Sequence, residues 1–124
     1  MEQPRKRINF PFELSRFCVA NYKPMIIGGD FNIIRYVKEK NTMDGVPRHT
    51  PLFNSLIHFY GLRELVMNGG LFTWSNNQEN PTLEKLDKVL VIKDWEDLYP
   101  EVLVSKLPRE ISDHNPLVVS TGKK

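Results

Sequence analysis

Gly28-Gly29-Asp30-Phe31-Asn32 follows a compact apolar run, Met25-Ile26-Ile27, and the interpretation of the whole chain begins with this stretch. An apolar run closed by glycines is typical of a strand buried on both faces. Such a strand presents Asp30 at its end. If it continues through Asn32, both side chains point to the same side, because side chains alternate along a strand. An isolated Asp-x-Asn is also typical of a simple turn from strand to loop.

Length and composition restrict the possible classes of protein. The chain has 124 residues, of which 40% are hydrophobic and 26% charged, as expected of one soluble globular domain. Its net charge of +2 is too small to argue for nucleic-acid binding by itself. Cys18 is a single cysteine, which agrees with a reducing compartment. We see no membrane-length apolar run and no secretory signal, so we expect an intracellular location, in the nucleus or the cytoplasm, and no membrane partner.

The pattern of apolar residues predicts an α+β unit with helices on one face of a mixed sheet. Predicted helices cover 12–22, 52–60 and 94–99, and predicted strands cover 25–27, 62–66, 71–75, 83–92, 101–107 and 116–120. We expect the last of these strands to be buried. Asn68-Gly69-Gly70 is a turn signal between two of the strands. Residues 76–81 predict a hairpin with a polar tip, and residues 35–51 predict a long loop.

A second polar group is Ser112-Asp113-His114-Asn115-Pro116-Leu117, just before the last predicted strand. Its histidine can donate to a phosphate oxygen, and its carboxylate can bind metal or water. Asp87 is a charge in a mostly apolar strand face, and a buried carboxylate needs a partner. That partner is either Lys85 or Lys88, or it is His114, whose ring Asp87 would hold in one tautomer and keep cationic.

Together these segments resemble the endonuclease/exonuclease/phosphatase superfamily, the deoxyribonuclease I-like metal-dependent phosphodiesterases. The resemblance runs from about residue 12 to residue 119 and is closest to the endonuclease domain of plant LINE-type (non-LTR) retrotransposons. The family pattern is Gly-Asp-Phe-Asn, a helix ending in Gly-Leu, Phe-Thr-Trp-x-Asn, Leu-Asp, a Trp-containing helix ending near Pro, and Ser-Asp-His-x-Pro-Leu. This chain carries these features, in the same order, at 29–32, 61–62, 72–76, 86–87, 95–100 and 112–117.

The resemblance implies a role for each residue of the candidate site. Asp30 would position or activate the attacking water, and Asn32 would contact a phosphate oxygen. His114 would stabilise the phosphate in the transition state, with Asp87 as its orienting carboxylate. Asp113 and Asp30 would be the metal ligands, for Mg²⁺ or Mn²⁺.

The resemblance also implies contacts with DNA. The hairpin tip after Trp74 corresponds to a loop that family endonucleases use against DNA, so Trp74, Asn76 and Asn77 are candidate nucleic-acid contacts. Lys85 stands where the plant pattern favours arginine and is a further candidate. Packing of Trp74 in the core is the alternative.

The fold implied is the C-terminal half of a four-layer α/β sandwich, so that residues 1–124 form a single partial domain. We expect the chain to lack the metal-binding glutamate of the family's N-terminal half, which would weaken Mg²⁺ binding. We also expect it to expose a sheet face above the strands at 25–27, 89–92 and 117–119, where self-association could occur. The expected function is a truncated Mg²⁺-dependent endonuclease that nicks DNA, with impaired activity. The alternatives are a non-catalytic remnant that binds nucleic acid or protein, and a phosphatase acting on a small phosphate ester.

Overall fold

A computed structural model of the chain describes residues 14–16, 18–19 and 23–122. Within them the fold is a small mixed α+β domain with three short sheets and few helices. The predicted helix at 12–22 falls partly outside the described residues, and residues 14–16 and 18–19 are helical. The other elements are β1 (Ile26–Asp30), a 3₁₀ turn (Val37–Glu39), α1 (Thr50–Phe59), β2 (Leu62–Glu64), β3 (Met67–Asn68), β4 (Trp74–Ser75), β5 (Leu83–Glu84), β6 (Asp87–Ile92), α2 (Lys93–Leu98), β7 (Leu103–Lys106) and β8 (Leu117–Ser120).

The largest contact between strands joins β1 to β6 in an antiparallel sheet of order β1-β6-β2. β6 is central and buried almost along its whole length, because it carries the continuous apolar run Val89-Leu90-Val91. The register places Asp30 directly opposite Asp87. Pairing of these two strands therefore brings together the two carboxylates that the sequence separates.

The expectation that the first strand is buried on both faces is wrong. Among the described residues β1 lies at the edge of its sheet, and its second half, Gly28 to Asp30, is exposed. The last strand, β8, was also expected to be buried, yet Val118 and Val119 are 45% and 41% exposed. Both strands have the apolar composition of a central strand, but β6 and β7 take the central positions.

The remaining strands form two smaller sheets. In one, β3 pairs parallel with β7 and β7 pairs antiparallel with β8. In the other, β4 pairs antiparallel with β5, with Trp74 opposite Glu84, as the predicted hairpin requires. The glycine turn at 68–70 does not close a hairpin, because β3 pairs with β7 instead of β4. The long strand predicted at 83–92 is divided into β5 and β6.

The core lies between α1 and the β1-β6-β2 sheet. Phe53 and Ile57, one turn apart on α1, are buried and pack in a cluster with Phe31 and Leu90. The helix ends just before Gly61, whose φ of 69° lies in the left-handed region that glycine adopts without strain. The prediction of this helix and of its terminating glycine is confirmed. A second cluster packs Leu65, Val89, Val91 and Val104.

Candidate functional site

Three side chains from separate segments meet at one end of the central sheet. Asp30 ends β1, Asp87 begins β6, and His114 lies in the loop before β8. The Nδ1 atom of His114 is 2.7 Å from Oδ2 of Asp87, and its Nε2 atom is 3.4 Å from Oδ2 of Asp30. The imidazole ring thus lies between two carboxylates, and when protonated it can donate towards both.

Burial differs among the three side chains. The exposed fraction is 13% for Asp87, 19% for His114 and 31% for Asp30. Asp87 is therefore the innermost member, and Asp30 faces solvent. An open cleft of about 470 Å³ adjoins His114 and Asp87, and its walls include Gly28, Gly29 and Leu117. A ligand could approach the imidazole through this cleft.

The main chain of Asp87 is held by Thr73, a fully buried residue beside β4. The Oγ1 atom of Thr73 accepts hydrogen bonds from the backbone N–H groups of Leu86 and Asp87, both at 3.0 Å. The backbone N–H of Phe31 donates to the carbonyl of Leu86 at 2.9 Å. These bonds fix the start of β6 against the end of β1, and so fix Asp87 beside Asp30.

The loop that carries His114 is held by main-chain bonds to the same segment. The N–H of Asn115 donates to the carbonyl of Thr73 at 2.8 Å, and the N–H of Ser75 donates to the carbonyl of Asp113 at 3.2 Å. Trp74 and His114 are thereby opposite each other as an isolated antiparallel bridge. The three residues from Thr73 to Ser75 therefore support both Asp87 and the His114 loop.

The lysines that could have paired with Asp87 have other partners. The ammonium of Lys85 is 2.5 Å from Oε2 of Glu64. Lys88 is 1% exposed and its ammonium lies 3.3 Å from Oε1 of Glu39, where burial lowers the pKa of Lys88. Of the two alternatives, the structure shows His114 as the partner of Asp87.

The strand does not continue through Asn32, so Asn32 and Asp30 do not share a strand face, and the alternative of a turn from strand to loop is confirmed. β1 ends at Asp30, and Asn32 has a φ of 58°, in the left-handed region that asparagine tolerates. Its backbone N–H donates to Oδ1 of Asp30 at 2.9 Å. The motif therefore forms a tight turn that orients the Asp30 carboxylate, as Asx turns do.

Asp113 contacts Trp74 rather than the three-residue group. Its Oδ2 atom accepts a hydrogen bond from the indole Nε1 of Trp74 at 3.1 Å. Among the described residues, the group with metal-ligand spacing consists of Asp30, Asp87 and His114. The assignment of Asp113 as a metal ligand stays a prediction.

The predicted nucleic-acid contacts lie in different surroundings. Asn76 folds back into the hairpin, where its Oδ1 atom accepts from the N–H groups of Gln78 and Thr82, both at 3.1 Å. Asn77 is exposed at the tip, with a φ of 61°. Lys85 is 8% exposed and paired with Glu64, so its geometry does not favour a contact with nucleic acid.

The three-residue group could hold a metal ion. One ligand atom from each of Asp30, Asp87 and His114 lies within 4.8 Å of the others. Carboxylate oxygens suit Mg²⁺, which is usually bound by one or two of them together with waters and substrate phosphates. Imidazole suits transition metals better. The two carboxylates therefore fit Mg²⁺, while His114 is engaged with Asp87.

Sequence reasoning missed the role of Thr73 and the buried ion pairs. In the sequence, Thr73 stands out only as the middle residue of the Phe-Thr-Trp pattern at 72–74. A buried threonine between two aromatic residues is a signal that its hydroxyl has a partner, but the partner comes from a distant part of the chain. Arg35, which donates to Glu64 at 3.0 Å, gave no signal at all.

The sequence matches no protein-family model and no curated protein. Within the described residues, no helix is both long and apolar enough to cross a membrane.

Proposed function

We propose that this chain carries the active-site half of a metal-dependent phosphodiesterase that nicks DNA. The single observation that carries the proposal is the arrangement of His114 between Asp87 and Asp30. With Asp87 at Nδ1, the imidazole directs Nε2 towards Asp30, and from there it can donate to a phosphate oxygen. The resemblance to the plant LINE-type endonucleases implies catalytic roles for the same three residues.

His114 acts as the donor to the phosphate. Asp87 contacts Nδ1 of the imidazole at 2.7 Å and so fixes the orientation of the ring. The ring then donates from Nε2 to a non-bridging phosphate oxygen as negative charge develops there. The loop that carries His114 is held by main-chain hydrogen bonds, so the imidazole needs little rearrangement during the reaction.

Asp30 acts on the attacking water. Its carboxylate is the most exposed of the three and is oriented by the N–H of Asn32 at 2.9 Å. It can accept the proton of a water molecule as that water attacks phosphorus and the bond to the leaving oxygen breaks. Asn32, in the adjacent turn, is the proposed contact to a further phosphate oxygen.

The proposed cofactor is Mg²⁺, with Mn²⁺ as a substitute. Asp30 would hold the ion. The resemblance implies Asp113 as the second carboxylate, and Asp87 is the carboxylate that lies within metal-ligand spacing of Asp30. A divalent ion at this point would stabilise negative charge on the phosphate and the leaving oxygen. Among the described residues the group contains no glutamate, so we expect weak metal binding.

DNA is the proposed substrate because the site adjoins features suited to a polymer. The hairpin with Asn77 at its tip is bonded to the His114 loop, and the cleft beside His114 is open.

We further propose that the domain corresponds to the C-terminal half of a deoxyribonuclease I-like four-layer sandwich. DNA binding without cleavage is the second candidate, favoured by the small number of carboxylates in the group.

The test compares three substrates under the same conditions, with Mg²⁺ or EDTA. The substrates are supercoiled plasmid, bis(p-nitrophenyl) phosphate and p-nitrophenyl phosphate. Metal-dependent nicking of plasmid supports the proposal. Hydrolysis of the monoester alone would replace the proposal with a phosphatase, and salt-sensitive plasmid binding without nicking would replace it with a binding module.

A further inference from the structure

A basic cavity lies next to the candidate site, and the mechanism described above does not use it. Its volume is about 420 Å³, and its walls include Trp74, Asn115 and the cations Lys106 and Arg109. Asn115 also lines the cleft beside His114, so the two openings meet at this residue. We infer that Lys106, together with the exposed Arg109, binds a phosphate group of the DNA strand next to the one that is cleaved. This inference rests on the proposed function for the identity of its ligand.

The ammonium of Lys106 is held in one place. Lys106 ends β7, and its Nζ atom donates to the carbonyl of Phe72 at 2.8 Å. The same Nζ atom lies close to the glycine turn, since a Cβ atom added to Gly70 would be 2.7 Å from it. A side chain at position 70 would therefore displace the ammonium. The turn at Gly69-Gly70 does not close a hairpin, but it leaves room for Lys106.

Lys106 is a partly buried cation without a carboxylate partner. The buried ammonium of Lys88, in contrast, lies 3.3 Å from a carboxylate oxygen of Glu39. Over the residues that the structure describes, no Asp or Glu oxygen lies within 4.0 Å of the cationic nitrogens of Lys106 or Arg109. An ammonium has three N–H donors, so Lys106 keeps two donors for a ligand, and its charge is not neutralised.

The chemistry of the cavity matches a phosphodiester group. Its two cations would supply the counter-charge for a phosphate, and the half-buried ring of Trp74 would supply apolar surface for the attached sugar or base. Because Asn115 follows His114 in the chain, a strand held by Lys106 would reach the candidate site. Lys85, the cation predicted to contact DNA, is engaged in an ion pair and lines a different cavity.

The test measures binding of a fluorescein-labelled DNA duplex in EDTA, so that it depends on neither metal nor cleavage. Fluorescence anisotropy at several salt concentrations gives the slope of log Kd against log salt concentration. We expect Lys106→Met to reduce that slope by about 0.9, the value for one phosphate contact on duplex DNA, and to weaken binding about 10-fold. Lys38→Met is the matched control, because Lys38 is exposed on the 3₁₀ turn and its loss changes the net charge equally.

Two further variants separate a lost contact from a damaged fold, which circular dichroism verifies for each protein. Lys106→Arg keeps the charge and should retain the wild-type slope. Arg109→Gln changes an exposed loop residue and should reduce the slope without lowering the thermal midpoint. If Lys106→Met does not fold, Arg109→Gln decides, and a wild-type slope in that variant overturns the inference.

The outcomes separate this inference from the proposed function. If wild-type protein binds the duplex and Lys106→Met behaves like Lys38→Met, the inference is overturned, and plasmid nicking alone decides the proposed function. Wild-type protein that does not bind the duplex also overturns the inference, whether or not plasmid is nicked. If the slope falls in Lys106→Met but wild-type protein does not nick plasmid, the inference stands and the nuclease function fails.

Discussion

His114 Nδ1 lies 2.7 Å from Asp87 Oδ2, although the two residues are 27 positions apart in the chain. The contact depends on the Thr73 to Ser75 segment, which bonds to the backbone of Asp87 on one side and to the 113–115 loop on the other. The orientation of the imidazole is therefore a property of the fold and not of its own loop alone.

Asp87→Asn should lower the rate of plasmid nicking about 100-fold, because the amide keeps the shape of the side chain but lacks the charged oxygen that orients the His114 ring through Nδ1. Asp97→Asn is the matched control, since Asp97 forms an exposed pair with Lys93 on α2. The assay is the initial rate of conversion of supercoiled to open-circular plasmid. Equal rates for the two variants would show that Asp87 does not act on His114.

Asp30→Asn should raise the Mg²⁺ concentration for half-maximal nicking by about 10-fold or more, because the variant loses a charged oxygen ligand. Asp44→Asn provides the control, since Asp44 is exposed and bonded to Lys40 and Thr42. The measurement is a Mg²⁺ titration of the nicking rate. A requirement for Mg²⁺ equal to that of wild type would remove Asp30 from the proposed metal site.

Glu64→Gln should destabilise the fold by about 3 kcal/mol, because it leaves the buried cations Lys85 and Arg35 with a weaker partner. The control is Glu96→Gln, since the pair of Glu96 with Arg63 lies on the surface and should contribute about 1 kcal/mol or less. Urea unfolding of both variants provides the comparison. Equal losses of stability would mean that the Glu64 pair behaves as a surface pair.

Glu64 also makes the free energy of unfolding depend on pH. Burial alone would raise the pKa of Glu64, but attraction to Lys85 and Lys88 and bonds from Lys85 and Arg35 lower it below its usual value. A lowered folded-state pKa stabilises the fold above the unfolded pKa, and this contribution is lost as pH falls through the folded pKa. Wild type should therefore lose more stability on acidification than Glu64→Gln. Identical pH profiles would contradict this assignment.

The expected exposed face above the strands at 25–27, 89–92 and 117–119 is wrong for the central strand, because residues 89–91 are buried. Val118→Lys should reduce self-association through the apolar surface that is exposed on β7 and β8. Leu103, Val118 and Val119 are 55%, 45% and 41% exposed on paired strands β7 and β8, and an edge strand with apolar side chains favours pairing with another chain. Sedimentation velocity over a range of concentrations measures the effect, with Thr42→Lys in the 35–49 loop as the control. A wild-type protein that stays monomeric at all concentrations would refute the proposal.

Sequence patterns within a few neighbouring residues correctly predicted α1, the β4–β5 hairpin and the strand β1. The periodicity of 52–60 and Gly61 predicted α1 and its end, and the polar segment at 76–81 predicted the pairing of β4 with β5. The apolar run at 25–27 likewise predicted a strand that ends at Asp30. Each of these features depends on residues close together in the chain.

Features that depend on distant partners could not be predicted in the same way. The same apolar composition occurs in central β6 and in β8, whose edge position depends on how the sheets are ordered. Lys88 looks like an ordinary strand lysine, and its burial depends on Glu39 and the carbonyl of Ile33. Within the site, the link between Asp87 and His114 was one of two open alternatives, because nothing in the sequence decided between a lysine and a histidine partner.

The central claim is that His114, held by Asp87 beside Asp30, hydrolyses DNA with a divalent metal. The most direct measurement compares plasmid nicking by wild type, His114→Ala and His58→Ala in Mg²⁺ and in EDTA, where His58 is an exposed residue of α1. We predict Mg²⁺-dependent nicking by wild type and His58→Ala, and its loss in His114→Ala. Nicking that survives in His114→Ala, or no nicking by folded wild-type protein, would contradict the claim.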